Sequence, residues 1–180
     1  MRIFIGIKID APPEVSQIKC ELGHAHSKWV KESNYHLTLV FIGQAKTADK
    51  VKISQALHKI VPQHAPFVIS LKGAGSFQKR RSSGVLWLGV EDSTALKALH
   101  NEVNNAVLHI FPNLKNQYKD YTPHITVARI KDREELSAFK QRLNELNVSR
   151  RQRVDEVFLY ESLSTPNGVE YKVLERFNLK

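Results

Sequence analysis

The chain has 180 residues, of which 42% are hydrophobic and 25% charged, with 8 glycines, 7 prolines and a single cysteine. That is the profile of a globular domain large enough for its own core, and it excludes disordered, collagen-like and disulfide-stapled classes. The formal net charge of +9 favours polyanionic partners such as RNA, DNA or anionic lipid, without choosing among them.

Hydrophobic periods mark out the elements in chain order. Arg2 to Ile9 alternates and is rich in Ile and Phe, as strands are. Beyond Pro12 and Pro13, the residues Val15, Ile18 and Leu22 recur at helical spacing. Tyr35 to Ile42 is β-branched and aromatic, and Gly43 ends it. Ile53, Ala56, Leu57, Ile60 and Val61 line one face of a helix that Pro62 stops. Phe67 to Leu71 predicts a strand. The segment from Gly73 to Gly84 reads either as a solvated hairpin loop or as a mobile cationic arm whose Lys79, Arg80 and Arg81 meet phosphates. Val85 to Val90 predicts the next strand. A helix follows through Leu96, Leu99, Val103 and Val107, started by Ser93. His124 to Ile130 is a strand, Leu136, Phe139, Leu143 and Leu146 mark a helix behind Asp132, and strands return at Val154 to Tyr160 and around Tyr171 to Phe177.

A strand–helix–strand–helix–strand unit therefore occurs twice. From Ile3 to Val85, from His36 to His124 and from Phe67 to Val154 the offsets are 82, 88 and 87 residues, as an ancient duplication would leave them. The expected fold is α+β: one domain over residues 1–180, with two interleaved, pseudo-twofold-related lobes from duplicated halves near 1–78 and 79–180. Each lobe carries an antiparallel-rich sheet and helices.

The lone Cys20 fits a reducing compartment. Lys8 and Asp10 cut the first apolar stretch short of a signal-peptide core, and no run approaches the roughly 20 apolar residues of a membrane span. The expectation is a cytoplasmic protein with no membrane attachment.

One short pattern appears in both corresponding strands: His36-Leu37-Thr38-Leu39 and His124-Ile125-Thr126-Val127. Residues i and i+2 of a strand share a face, so each strand presents a His and a Thr together. Across a cleft between pseudo-twofold lobes, the two imidazoles suit proton transfer near neutral pH. The two hydroxyls can donate to the oxygens of a phosphate held between them. A strained cyclic phosphodiester needs only this proton traffic, and no metal. Cys20, His24 and His26 have a spacing that could approach zinc, but a structural site wants four ligands and His36 belongs to the motif, so they read as a polar loop. His58 and His64 border a helix end, His100 reads as a boundary residue, and Trp29 and Trp87 read as lobe-packing residues.

With RIFIGIKID, HLTLVFIG, TPHITVARI and ESLS...GVEYKVLERFNL on the page, the sequence resembles the RNA 2′,3′-cyclic phosphodiesterases, also called 2′-5′ RNA ligases, of the 2H phosphoesterase superfamily. The resemblance runs over essentially the whole chain. It implies a bilobal fold with the active site in an open cleft, hydrolysis of an RNA 2′,3′-cyclic phosphate terminus to a 2′-phosphate, and a reverse 2′-5′ joining activity. By the same resemblance His36 is the proton donor, His124 the proton acceptor, and Thr38 and Thr126 bind the phosphate. It further implies roles for Phe41 in stacking on a base and Arg129 in pairing with a phosphate. Both stand five residues after a motif histidine. An offset of five puts a side chain on the opposite strand face unless the strand ends or bulges, so the strand period by itself reads Phe41 as core. The expected partner is RNA with a cyclic phosphate end, tRNA fragments among the candidates, acted on by a monomer without cofactors. Two alternatives remain open: a 2H phosphodiesterase acting on small cyclic nucleotides, and a non-catalytic RNA-binding module.

Overall fold

The computed structural model describes residues 1–22, 27–79, 83–91, 93–114, 121–166 and 168–180. Among them, nine strands and four helices follow one another: β1 (Arg2–Lys8), α1 (Pro13–Leu22), β2 (Ser27–Trp29), β3 (His36–Gln44), α2 (Thr47–Ile60), β4 (Phe67–Lys79), β5 (Ser83–Val90), α3 (Thr94–Ile110), β6 (His124–Ile130), α4 (Arg133–Glu145), β7 (Ser149–Val154), β8 (Glu156–Thr165) and β9 (Gly168–Asn178). Two helix starts form as the sequence predicts. The Ser93 hydroxyl accepts the Leu96 amide, and the Asp132 carboxylate accepts the Glu134 and Glu135 amides, which satisfies donors that a first turn leaves without partners. After α2, Pro62 stands inside a single 3₁₀ turn, Val61–Gln63, that ends the helix.

The strands form one antiparallel sheet in the order β7-β4-β5-β6-β3-β1-β8-β9, with β2 paired to β6 off this path. The middle of that order is its thinnest point, because β3 and β6 share a single register pair, Leu37 with Ile125. Two half-sheets thus meet at a narrow seam, which makes the fold bilobal. Elements matched by the first two sequence offsets lie at mirror places about it, β3 with β6 and β1 with β5; the third offset ends on Val154 in β7, whereas the mirror partner of β4 is β8.

The lobes exchange elements between the sequence halves. A boundary near residue 78 falls at the end of β4, whose partner β5 belongs to the same half-sheet. One lobe combines β4 to β7 with α1 and α4; the other combines β1, β3, β8 and β9 with α2 and α3. All four helices contribute to one apolar core, through residues such as Ile18, Leu57, Leu99 and Phe139. A second, smaller cluster of Phe4, Phe158 and Tyr160 is joined by Phe41 and Tyr171. None of the helices among the described residues is long and apolar enough to cross a membrane.

Three segments depart from the sequence expectation. Gly73 to Lys79 is not loop but the second half of β4, paired to β5 up to Lys79 and Ser83. Arg80 and Arg81 lie outside the described residues. Ser149–Val154 is a strand on the edge of the sheet despite reading SRRQRV, and Val154 closes it opposite Phe67 rather than opening β8. The three-residue β2 was not expected at all. It forms because β3 leaves β6 after one pair, so the free edge of β6 takes Ser27 to Trp29 instead.

Candidate active site

The two histidines occupy the first positions of β3 and β6, on either side of the seam. Their backbone surroundings are the same. The Nδ1–H of His36 donates to the Asn34 carbonyl at 2.7 Å, and the Nδ1–H of His124 donates to the Thr122 carbonyl at 2.8 Å. A carbonyl can only accept, so both rings carry their fixed proton on Nδ1 and leave Nε2 to gain or lose one. Burial holds both imidazoles below the ordinary histidine pKa, against a smaller opposing pull from each carbonyl bond. For His36 the charge of His124 adds to the lowering, so the two rings sense each other across the seam.

Aromatic rings hold each imidazole. Tyr171 meets His36 edge-on at 4.8 Å and Phe4 meets it tilted at 4.8 Å. On the other side Phe77 meets His124 edge-on at 4.9 Å and Trp87 meets it tilted at 5.9 Å. Trp87 therefore packs within its lobe, on Phe77, and also backs a histidine. Its indole lies where a Cβ on Gly75 would stand, which is why this position on β4 is glycine. Gly75→Ala is expected to force the indole aside and destabilise the protein by about 1–3 kcal/mol, the usual cost of overpacking, measured by thermal unfolding.

The five-residue offsets resolve through two matching bulges. In the β1–β3 ladder Ile5 faces Val40 and Gly6 faces Thr38, so Leu39 is an extra residue. In the β5–β6 ladder Leu86 faces Ala128 and Trp87 faces Thr126, so Val127 is extra. Each bulge comes three residues after its histidine and reverses the face of the residues that follow, until a second shift at Ile42 in β3. Leu39 and Val40 are both buried, as are Val127 and Ala128. Phe41 and Arg129 accordingly emerge on the same faces as the His and Thr before them. The core reading of Phe41 is thereby corrected: it is half-buried, and the Arg2 guanidinium lies 5.0 Å from the centre of its ring.

The β3 bulge is held from behind. His100 of α3 is 7% exposed, buried rather than at a boundary, and its Nδ1–H donates to the Leu39 carbonyl at 3.0 Å. Its ring stacks on Tyr121 at 3.7 Å, and the Tyr121 hydroxyl donates to the Thr38 carbonyl at 3.1 Å. These two side chains satisfy carbonyls near the point where β3 parts from β6, and Tyr121 stands three residues before His124.

His36, Thr38, Phe41, Thr126 and Arg129 all line one open cleft of about 940 Å³. His124 shares the Thr126 face of β6 without forming part of that wall. Further lining comes from residues the sequence did not single out: Arg2, Lys28 and Lys31 supply cations, and Val169 and Tyr171 come from the β8–β9 hairpin. The hairpin is fastened beside His36, because the buried Asn34 side chain donates to the Val169 carbonyl at 2.7 Å and Lys31 pairs with Glu170 at 3.2 Å. Asn34 thus bonds the ring through its carbonyl and the hairpin through its amide. At the hairpin tip, where β8 ends at Thr165 and β9 begins at Gly168, the Thr165 hydroxyl donates to the Gly168 carbonyl. Among the described residues no group of three or more His, Cys, Asp or Glu could hold a metal ion. Cys20 is exposed, and His24 and His26 lie outside the described residues.

Residues 8–166, spanning both His-x-Thr strands, match the sequence profile of the 2′-5′ RNA ligase superfamily. The chain belongs to this family. Within the 2′-5′ RNA ligase superfamily, it is similar to the RNA 2′,3′-cyclic phosphodiesterase of Thermotoga maritima, 33% identical over 97% of this chain and 93% of the relative. The protein of the same name from Methanothermobacter thermautotrophicus is 31% identical over 99% of each chain. Among solved structures, a Thermus thermophilus protein superposes with a TM-score of 0.79 at 23% identity, covering 99% of this chain and 97% of that one. Apo Escherichia coli LigT superposes with a TM-score of 0.70 at 23% identity, covering 99% and 96%. The bilobal α+β fold expected of the superfamily is the fold observed.

Proposed function

We propose that this protein hydrolyses the 2′,3′-cyclic phosphate at RNA 3′ ends to a 2′-phosphomonoester, with His36 as general acid and His124 as general base. The observation that carries this reading is the pairing of two equivalent histidines, each with Nδ1–H tied to a backbone carbonyl and Nε2 left for proton transfer. In the forward step the oxygen of a water attacks phosphorus and gives its proton to Nε2 of His124. The bond from phosphorus to O3′ breaks, and Nε2–H of His36 protonates that oxygen. Thr38 and Thr126 donate to the non-bridging oxygens as charge builds on them. Arg129 pairs with a phosphate, and Phe41, braced by Arg2, offers a ring face to a base. With a 5′-hydroxyl in place of water as the attacking group, the same proton transfers join two RNA ends through a 2′-5′ bond, and run backwards they cleave it.

The names of the relatives from Thermotoga and Methanothermobacter support the RNA substrate, and so does a cleft wall carrying Arg2, Lys28, Lys31 and Arg129. Fragments of tRNA with cyclic phosphate ends are candidate substrates, and we take the working unit to be a soluble, cytoplasmic monomer.

The test is product analysis on an oligoribonucleotide ending in a 2′,3′-cyclic phosphate, beside a cyclic mononucleotide, with excess EDTA present. The expected result is full turnover in chelator, a 2′-phosphate product and preference for the oligonucleotide. Activity lost to EDTA and restored by zinc or magnesium would overturn the two-histidine mechanism. Preference for the mononucleotide would favour a small cyclic nucleotide as substrate, and RNA binding without turnover would favour a binding module.

A further inference from the structure

The strand β2 brings two like charges face to face. Lys28 stands directly opposite Arg129 across the β2–β6 ladder, and both residues are exposed on the wall of the cleft. Directly opposed residues of an antiparallel pair hold their Cβ atoms about 4.5–5.5 Å apart, and like charges there repel. Several other exposed cations are neutralised locally: Arg142 pairs with Glu21, Arg150 with Glu14, Arg153 with Asp155 and Lys72 with Glu91. Lys31, further along the same wall, pairs with Glu170. Among the described residues no carboxylate pairs with Lys28 or Arg129. A repulsive pair left open on a cleft wall is relieved by an anion lying between the two cations.

Their place in the strand says which anion. The bulge at Val127 puts Arg129 on the face of His124 and Thr126, and Lys28 shares that face as its ladder partner. Thr126 and Arg129 are three residues apart along β6, at most about 10 Å of extended chain. That is a separation one nucleotide unit bridges. We propose that Lys28 and Arg129 form a second phosphate subsite, which takes the phosphodiester joining the terminal nucleotide to the one before it. This deepens the RNA-end reading above and rests on it: the threonines hold the reacting phosphate, and the β2–β6 pair recognises that a polynucleotide is attached. The ligand class is an oligoribonucleotide, as against a cyclic mononucleotide lacking that linkage.

The test uses equilibrium binding, which needs no turnover. A diribonucleotide ending in a 2′-phosphate is prepared with its natural linkage and with an uncharged methylphosphonate linkage, and both dissociation constants are measured by calorimetry. The wild-type protein is expected to bind the charged form about tenfold more tightly, with a steeper salt dependence. Lys28→Gln should shrink that ratio to about threefold or less, and Arg129→Gln should act in the same direction. Lys59→Gln, on the exposed face of α2, loses the same net charge and should keep the wild-type ratio. A wild-type ratio near one, or an unchanged ratio in Lys28→Gln, would overturn the subsite. A protein that binds with the expected ratio yet hydrolyses no cyclic phosphate would sink the catalytic reading and leave the subsite standing.

Discussion

His36→Ala and His124→Ala are each expected to slow hydrolysis of a cyclic phosphate end by about two to four orders of magnitude, the range for removing a general acid or base. The double variant should be little worse than either single one, because both side chains serve one displacement. The two losses differ in what restores them. With sulfur in place of the 3′ oxygen, the leaving group departs without a proton, so His36→Ala should recover most of its rate while His124→Ala stays slow. Rescue of His124→Ala alone would mean that the acid and base are the wrong way round, and equal rescue of both variants, or of neither, would overturn the division into acid and base. Circular dichroism and thermal unfolding should show both variants folded, since each ring sits at the rim of the core and not within it.

The second large effect is on pH dependence. With His36 as the proposed acid and His124 as the proposed base, the rate is expected to fall on the alkaline side as His36 loses its proton and on the acidic side as His124 gains one. Burial lowers both pKa values, and His124 lowers that of His36 further. The alkaline limb of kcat/KM, which reports the free enzyme, should therefore be centred below the ordinary histidine value of about 6.5. A bound phosphate anion favours both imidazolium forms, so the kcat profile should lie to the alkaline side of the kcat/KM profile. Titration of the ring proton resonances checks the same point without turnover. In His124→Gln the His36 midpoint should rise, because a repelling charge has gone. A fall, or a free-enzyme midpoint at or above 6.5, would contradict the electrostatics described above.

The sequence carried the helices and the paired strands well, because each rests on local signals: Ser93 and Asp132 cap their helices, and the His-x-Thr pairs keep strict period two. It could not carry the bulges. A bulge at Leu39 or Val127 is written in the ladder with the neighbouring strand, which local periodicity does not contain, so Phe41 read as core and only the family resemblance argued otherwise. The glycines from Gly73 to Gly84 misled for a related reason. They signal a loop by composition, yet Gly75 sits inside a strand to make room for the Trp87 indole. The Asn34 and Thr122 carbonyls that orient the histidines are backbone groups, so no residue type announces them. Lys28 was invisible until β2 was seen to pair with β6.

The strand order has a consequence for the protein outside its cleft. A wide antiparallel sheet that does not close into a barrel ends in two rows of unpaired amides and carbonyls, which are templates for aggregation. Here one of those rows belongs to β7, whose Arg150, Arg151 and Arg153 are all exposed, and the other to β9, where Glu170, Lys172 and Arg176 are exposed. A neutral strand arriving at either border must lie against charged side chains that would lose their water. The arginine run that disguised β7 as loop therefore guards an open border of the sheet against edge-to-edge pairing.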